Sequence, residues 1–310
     1  MTKTAFLFPG QGSQFVGMGK DFYDAHEWAQ DIFTLADEIT GKPITRLCLE
    51  GPMEELTETA NLQPALTAIN LIILKALTDA GLKPDMTAGH SVGEYSALAA
   101  AGVVSPEAAL RLVSARADLM QRDAEKRPGA MQAIVGMEPD KVEAAVAEFA
   151  ERGVVAVANY NSPQQVVITG EAEAVNQVGQ KLAAEGARAV PLAVSGAWHS
   201  ALLAEAGADF ARIIEQTEFN APTCGLYLNV TGRLESDPAR IKEAMGRQMT
   251  SPVRWYIIIE AMLETGAERF MELGPGRVLA GLNRKIVPKG HAAKTVGIQN
   301  PADLEKVLAG

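Results

Sequence analysis

Apolar positions along this chain fall into short continuous runs that alternate with longer stretches of helical spacing. Thr4 to Phe8 is such a run, ended by Pro9-Gly10, and predicts a buried first strand. Ala25 to Ile39 and Gln63 to Ala80 carry apolar residues at helical intervals. In the second, Leu66, Ile69, Leu71, Ile72, Ile73, Leu74 and Leu77 cover most of the circumference, which predicts a buried helix. Met86 to Ala88 reads as a short strand and Val92 to Ala101 as the helix after it. Ser105-Pro106-Glu107 places a capping serine before a proline at the first helical position, and opens a helix to about Glu125. Its inward stripe is Ala109, Leu112, Val113, Leu119 and Met120.

From about Lys126 the period changes. Ala130 to Gly136 predicts a strand, Pro139 to Ala150 a helix, Val154 to Asn159 and Gln165 to Thr169 two strands, Glu171 to Glu185 a helix and Ala187 to Val194 a strand. That βαββαβ order is the split βαβ of a ferredoxin-like unit. The remaining pattern predicts helices over Ser200–Thr217, Pro238–Met249, Arg254–Thr265 and Val278–Val287, with strands near Leu226 and over Arg269–Leu273. The expected fold is therefore α/β: a large α/β-hydrolase-like domain with a parallel sheet (1–126 and 197–310) and an inserted ferredoxin-like subdomain (127–196).

Ser91 lies on the turn between the predicted strand and helix, in Ala88-Gly89-His90-Ser91-Val92-Gly93, where a nucleophile elbow puts its serine. Glycines on both sides of a sharp turn leave its hydroxyl free to project. The helix start supplies the Val92 N–H and the positive end of a helix dipole. The loop Gly10-Gln11-Gly12-Ser13-Gln14 directly follows the first strand, where α/β folds place functional loops. A serine that merely caps a helix would satisfy the same pattern.

Net charge narrows the choice. Lys+Arg 28 against Asp+Glu 38 leaves −10, which argues against a general binder of nucleic acid or anionic membrane. The two cysteines, Cys48 and Cys224, have no metal or disulfide spacing, and both read as small core residues. No apolar run approaches a membrane span, and the expected compartment is a reducing cytoplasm.

A serine at neutral pH needs a base, and the chain has four histidines. His26 and His291 sit in charged or polar surroundings, and His90 neighbours Ser91 at a strand end, where adjacent side chains point apart. His199 remains, at the seam between the two inferred units. Between 91 and 199, Asp118, Asp123 and Asp140 all fall in predicted helices or at their ends and no triad acid stands out, which leaves another group, such as a backbone carbonyl, to orient His199. Arg116 lies on the inner stripe of its helix, and a buried guanidinium must meet either an internal carboxylate or a ligand's.

These residues stand in a longer set of ordered motifs: F-P-G-Q-G-S-Q (8–14), Q-P-A-L (63–66), G-H-S-V-G-E-Y-S-A-L (89–98), S-A-R-A-D-L-M-Q around Arg116, N-Y-N-S-P (159–163), V-S-G-A-W-H-S (194–200), Q-M-T-S-P-V-R-W (248–255) and E-L-G-P-G-R-V-L (272–279). With them the chain resembles, over essentially its whole length, the malonyl-CoA:acyl-carrier-protein transacylases and the acyltransferase domains of fatty-acid and polyketide synthases. The resemblance implies Ser91 as nucleophile, His199 as base, the main-chain N–H groups of Gln11 and Val92 as oxyanion hole, and the carbonyl of Gln248 as the group that holds His199. It implies Arg116 as binder of the free malonyl carboxylate, with Gln63 and Asn161 near the acyl or pantetheine groups. Malonyl-CoA and acyl carrier protein would be substrates, with no metal or redox cofactor, and the chain a monomer.

Two departures from the family pattern stand out: Trp198 precedes the histidine, where Phe or Ser is usual, and Leu203 replaces a Met. Trp198 thereby becomes a candidate determinant of the acyl pocket. Arg277, Arg284, Lys285 and Lys289 cluster late in the chain and could steer an acidic carrier protein. Two other readings remain: a serine thioesterase or esterase, and a docking module without turnover.

Overall fold

The computed structural model describes residues 2–309. Ten strands form two sheets among the described residues. They are β1 (Lys3–Phe8), β2 (Met86–Gly89), β3 (Ala130–Val135), β4 (Val155–Ser162), β5 (Gln165–Gly170), β6 (Arg188–Pro191), β7 (Gly225–Tyr227), β8 (Leu234–Glu235), β9 (Ala267–Leu273) and β10 (Lys294–Ile298). The larger sheet runs β10-β9-β1-β2-β7-β8, parallel throughout except for the short antiparallel edge strand β8. β1 is central and fully buried from Ala5 to Phe8, which explains its unbroken apolar run. Its end pairs with the end of β2, Phe8 opposite Gly89, so the loops after both strands leave the sheet side by side.

The smaller sheet is antiparallel, in the order β4-β5-β3-β6. One face, with Ile134, Val166 and Ile168, packs with the helices Pro139–Phe149 and Ala172–Ala184. The other face, with Met131, Ala133 and Val167, joins the same buried cluster as Met120, Ala124 and Trp198. The two sheets therefore share a core. A main-chain link reinforces it, Tyr160 N donating to Val253 O and Val253 N to Ala158 O, each at 2.8 Å.

Ser105 caps the helix Pro106–Lys126 as its pattern predicts, its Oγ accepting from Ala108 N at 3.0 Å. Elsewhere the boundaries move. The helix expected from Gln63 starts at Thr59 and carries Pro64 inside it, and the one expected from Ala25 breaks at His26 into Lys20–Ala25 and Glu27–Thr40. By length and mean hydropathy (1.3), the helix Thr59–Asp79 does reach the range of a membrane span, contrary to the expectation that no run would. It passes for the reason its pattern showed: 78% of that stretch is buried, so it is apolar on every side because protein surrounds every side. Cys48 is buried as expected, whereas Cys224 is only half-buried.

Candidate active site

β2 ends at Gly89, the helix Gly93–Ala100 begins four residues later, and His90, Ser91 and Val92 make the turn. Ser91 takes φ 52°, a left-handed conformation that costs a non-glycine residue about 1–3 kcal/mol. Two side chains hold it there: Asn229 Oδ1 accepts from Ser91 N at 2.8 Å while Asn229 Nδ2 donates to Gly89 O at 2.7 Å, and Gln248 Nε2 donates to Ser91 O at 2.9 Å. The glycines are steric requirements. A Cβ on Gly89 would lie 2.0 Å from the Gly93 carbonyl, and one on Gly93 would lie 2.2 Å from Phe8 O. The loop after β1 packs equally close, since a Cβ on Gly10 would lie 2.5 Å from His90 O. Among the described residues neither the Gln11 nor the Val92 main-chain N–H has a hydrogen-bond acceptor.

His199 arrives from the far side of the site. It too takes a left-handed φ, 60°, in a turn pinned by Ser200, whose Oγ donates to Ala197 O at 2.7 Å and accepts from Leu202 N at 3.2 Å. His199 Nε2 lies 2.8 Å from Ser91 Oγ. Its Nδ1 faces two carbonyl oxygens, Gln248 at 3.1 Å and Ser251 at 2.9 Å. Carbonyls only accept, so Nδ1 carries the ring proton and Nε2 presents its lone pair to the serine hydroxyl. Burial, with the Arg116 charge as the second cause, pulls the imidazole pKa down to about 3. It is neutral at pH 7 and can accept a proton.

Arg116 is 0% exposed, and no carboxylate pairs with it among the described residues. Its neighbours are neutral oxygens: Gln63 Oε1 at 2.6 Å from Nη1, Gln248 Oε1 at 3.1 Å from Nε, and Ser91 Oγ at 3.3 Å from Nη2. Burial lowers its pKa, opposed by Tyr95 and Glu94, yet arginine keeps its proton in proteins. Of the two partners the stripe position allowed, the internal carboxylate is absent. A charged fork aimed at a serine oxygen is a ready site for an anion attached there.

The remaining candidates are distributed around this centre. Gln63 also donates to Gln11 Oε1 at 3.3 Å, tying the loop after β1 to the arginine. Asn161 makes no hydrogen bond to Ser91 among the described residues; its Oδ1 lies 2.9 Å from His90 Nε2, and His90 packs on Trp255 with ring centroids 5.4 Å apart. Trp198 is buried against Gly196, and its Nε1 has no hydrogen-bond partner among the described residues. A surface cavity of about 500 Å³ beside Tyr227, Leu234 and Ile257 shares no lining residue with this site.

The acyl transferase domain family matches residues 5–305. The chain belongs to this family. As an acyl transferase it is 39% identical over 310 residues to the malonyl CoA-acyl carrier protein transacylase of Bacillus subtilis, covering 99% of this chain and 97% of that protein. It is 42% identical over 289 residues to that of Escherichia coli K12, covering 93% and 94%. Among solved structures, an acyl carrier protein S-malonyltransferase from Vibrio cholerae superposes with TM-score 0.93 at 41% identity, over 99% of this chain and 100% of that one. A malonyl-transacylase in complex with its type II PKS acyl-carrier protein superposes with TM-score 0.94 at 39% identity, over 99% of each.

Three residues of this acyl transferase site were not singled out from sequence. Ser251 supplies the nearer of the two carbonyls on His199, Asn229 clips the Ser91 turn, and buried Glu94 accepts from Asn229 N at 2.7 Å and from Gln248 Nε2 at 2.8 Å. Burial raises the Glu94 carboxyl to about 7, against the pull of those two donors and of Arg116. Only Glu94 had a visible signal, an acid inside an otherwise apolar helix start.

Proposed function

We propose that this acyl transferase moves a malonyl group from malonyl-CoA to the phosphopantetheine thiol of an acyl carrier protein, through a malonyl ester on Ser91. The observation that carries the reading is the convergence on Ser91 Oγ of a neutral His199 at 2.8 Å and an arginine at 3.3 Å that has no acidic partner among the described residues. In the first half-reaction Ser91 Oγ attacks the thioester carbonyl while its proton passes to His199 Nε2. The N–H groups of Gln11 and Val92 meet the developing oxyanion. The tetrahedral centre collapses, and CoA thiolate leaves with the proton from His199. In the second half-reaction His199 takes the proton of the carrier's thiol as its sulfur attacks the malonyl ester; the bond to Ser91 Oγ then breaks, Ser91 Oγ takes the proton back from His199, and malonyl leaves as the carrier's thioester.

The carbonyls of Gln248 and Ser251 do the orienting that an acid does in a triad. They hold the tautomer without placing a negative charge beside a site that must admit a carboxylate. Arg116 binds the malonyl carboxylate, supported by Gln63, and Trp198 bounds the pocket near His199. Asn161 acts at one remove, through His90. The chemistry uses only these groups and the two substrates, with no metal or redox cofactor. The chain is read as a cytoplasmic monomer, in which 127–196 is a ferredoxin-like insert in a large domain of 1–126 and 197–310. The carrier protein docks on Arg277, Arg284, Lys285 and Lys289, none of which is in an ion pair among the described residues.

Radiolabelled malonyl-CoA tests this directly. Label should pass from CoA to protein and then to added carrier protein; loss of label to water at the same rate without carrier would make the protein a thioesterase, and no labelling would make it a docking module.

A further inference from the structure

Gln248 joins the two sides of the site, and its side-chain amide has a donor end and an acceptor end that the site tells apart. Its Oε1 accepts from Arg116 Nε at 3.1 Å, while its Nε2 donates to Glu94 Oε2 at 2.8 Å and to Ser91 O at 2.9 Å. Turned over, the amide would set its NH2 against a guanidinium that only donates, and its oxygen against oxygens that only accept. Its direction is therefore imposed by its neighbours. Two of its neighbours lie outside the reaction itself: Tyr95, whose Oη donates to Gln248 Oε1 at 3.5 Å, and Glu94, which accepts at the donor end.

Glu94 is 0% exposed, and its second oxygen accepts from Asn229 N at 2.7 Å. Asn229 is the residue that clips the Ser91 turn. One carboxylate thus sets two amide-bearing residues, one behind Arg116 and one behind Ser91. Burying an ionised carboxylate is expensive, and this one has no direct ion pair among the described residues.

We propose that Glu94 is a positioning residue for acyl selection: its carboxylate fixes the direction of the Gln248 amide and so aims the Arg116 guanidinium at the acyl group on Ser91. This rests on the malonyl-transfer reading above. The indirect arrangement has a chemical consequence. A carboxylate placed on Arg116 itself would compete with that of the substrate. Held one amide away, it offsets the buried positive charge through hydrogen bonds and leaves the fork available to a ligand.

The test uses Glu94→Gln in the full chain, with Glu94→Asp alongside, assayed at pH 8 with malonyl-CoA and acetyl-CoA and checked for folding by Tm. In Glu94→Gln an NH2 group must face either Gln248 Nε2 or Asn229 N, and both already donate. The ratio of malonyl to acetyl kcat/KM is expected to fall about tenfold or more, chiefly through malonyl. Glu94→Asp withdraws the carboxylate by one methylene and is expected to lower the ratio at least about threefold. A packing role alone lowers both substrates in parallel, so an unchanged ratio in either folded variant overturns the proposal. A crystal structure of a folded variant supplies a readout independent of turnover: loss of the Arg116 Nε to Gln248 Oε1 contact supports the proposal, and its retention overturns it. If the wild-type protein forms no malonyl-Ser91, the functional reading falls, while this structural arm still decides the role of Glu94.

Discussion

Ser91 Oγ and His199 Nε2 lie 2.8 Å apart, and both residues hold left-handed backbone conformations to achieve it. Neither is glycine, so each half of the pair stores local strain, which the surrounding hydrogen bonds to Asn229 and within the Ser200 turn offset. A pair held this way is set before substrate arrives.

Replacing Ser91 by alanine removes the proposed acyl acceptor, with its contacts to His199 and Arg116, and keeps the turn, because the Asn229 clip is made to the main-chain N–H. Malonyl transfer should fall by at least about a thousandfold with the Tm nearly unchanged. Intact-mass spectrometry checks the first half-reaction, in which the variant should carry no malonyl adduct.

Arg116→Ala should invert acyl preference. The guanidinium hydrogen-bonds only to neutral oxygens among the described residues, so acetyl-CoA leaves it without a direct anionic partner, at a penalty on the order of 2 to 5 kcal/mol. Removing the arginine withdraws both the attraction for malonyl and the penalty against acetyl. Arg116→Lys should recover little, since an ammonium lacks the planar fork. Steady-state kcat/KM for both substrates on folded protein checks it; a parallel fall in both would mark the arginine as structural.

The reactivity of Ser91 toward an uncharged sulfonyl fluoride should persist well below pH 6.5. His199 is pulled down to about 3 by burial and by Arg116, so as pH falls from 7 to 5 its lone pair stays available, where an exposed histidine would be protonated. The same shift acts on stability with a definite sign. A base with a depressed folded-state pKa contributes stability above the unfolded value, which is lost as pH falls from about 6.5 toward the folded pKa. Glu94 and Glu272, both raised to about 7 by burial, act oppositely between about pH 7 and 4.5. Comparing wild type with His199→Gln isolates the histidine share: the difference in Tm between them should change with pH below 6.5. Sulfonylation that dies away at pH 6.5 would contradict the depressed imidazole.

Reversing Arg284 and Lys285 to Glu should slow transfer to carrier protein several-fold at low salt and leave malonylation by malonyl-CoA unchanged. Both side chains are exposed on the helix Val278–Ile286, in a chain of net charge −10, and electrostatic steering acts mainly on association rate. Stopped-flow measurement of the second half-reaction across a salt series checks it; equal loss in both half-reactions would indicate misfolding instead.

Gly89→Ala should destabilise the fold more than most single methyl additions. The added Cβ would lie 2.0 Å from the Gly93 carbonyl, main chain on main chain, and overpacking of that kind costs about 1–3 kcal/mol or more. Thermal unfolding checks it.

Local information determined a good deal of this protein. The buried runs Thr4–Phe8 and Arg269–Leu273, the Ser105 cap and the glycines at 89 and 93 each act within a few residues, so their consequences are readable in order along the chain. Motif order over the whole length carried the family, and with it Ser91, His199 and Arg116 as the residues to watch. Tertiary structure decided how their surroundings are assembled. Whether Arg116 meets an internal acid depends on residues 53 and 132 positions away, Gln63 and Gln248, and neither spacing has a local signature. The Ser251 carbonyl on His199 and the Asn229 clip on Ser91 come from loops more than 50 residues distant. Such contacts are set by where two sheets and their connecting loops come to rest, and hydrogen-bond partners at that range leave no period in the sequence.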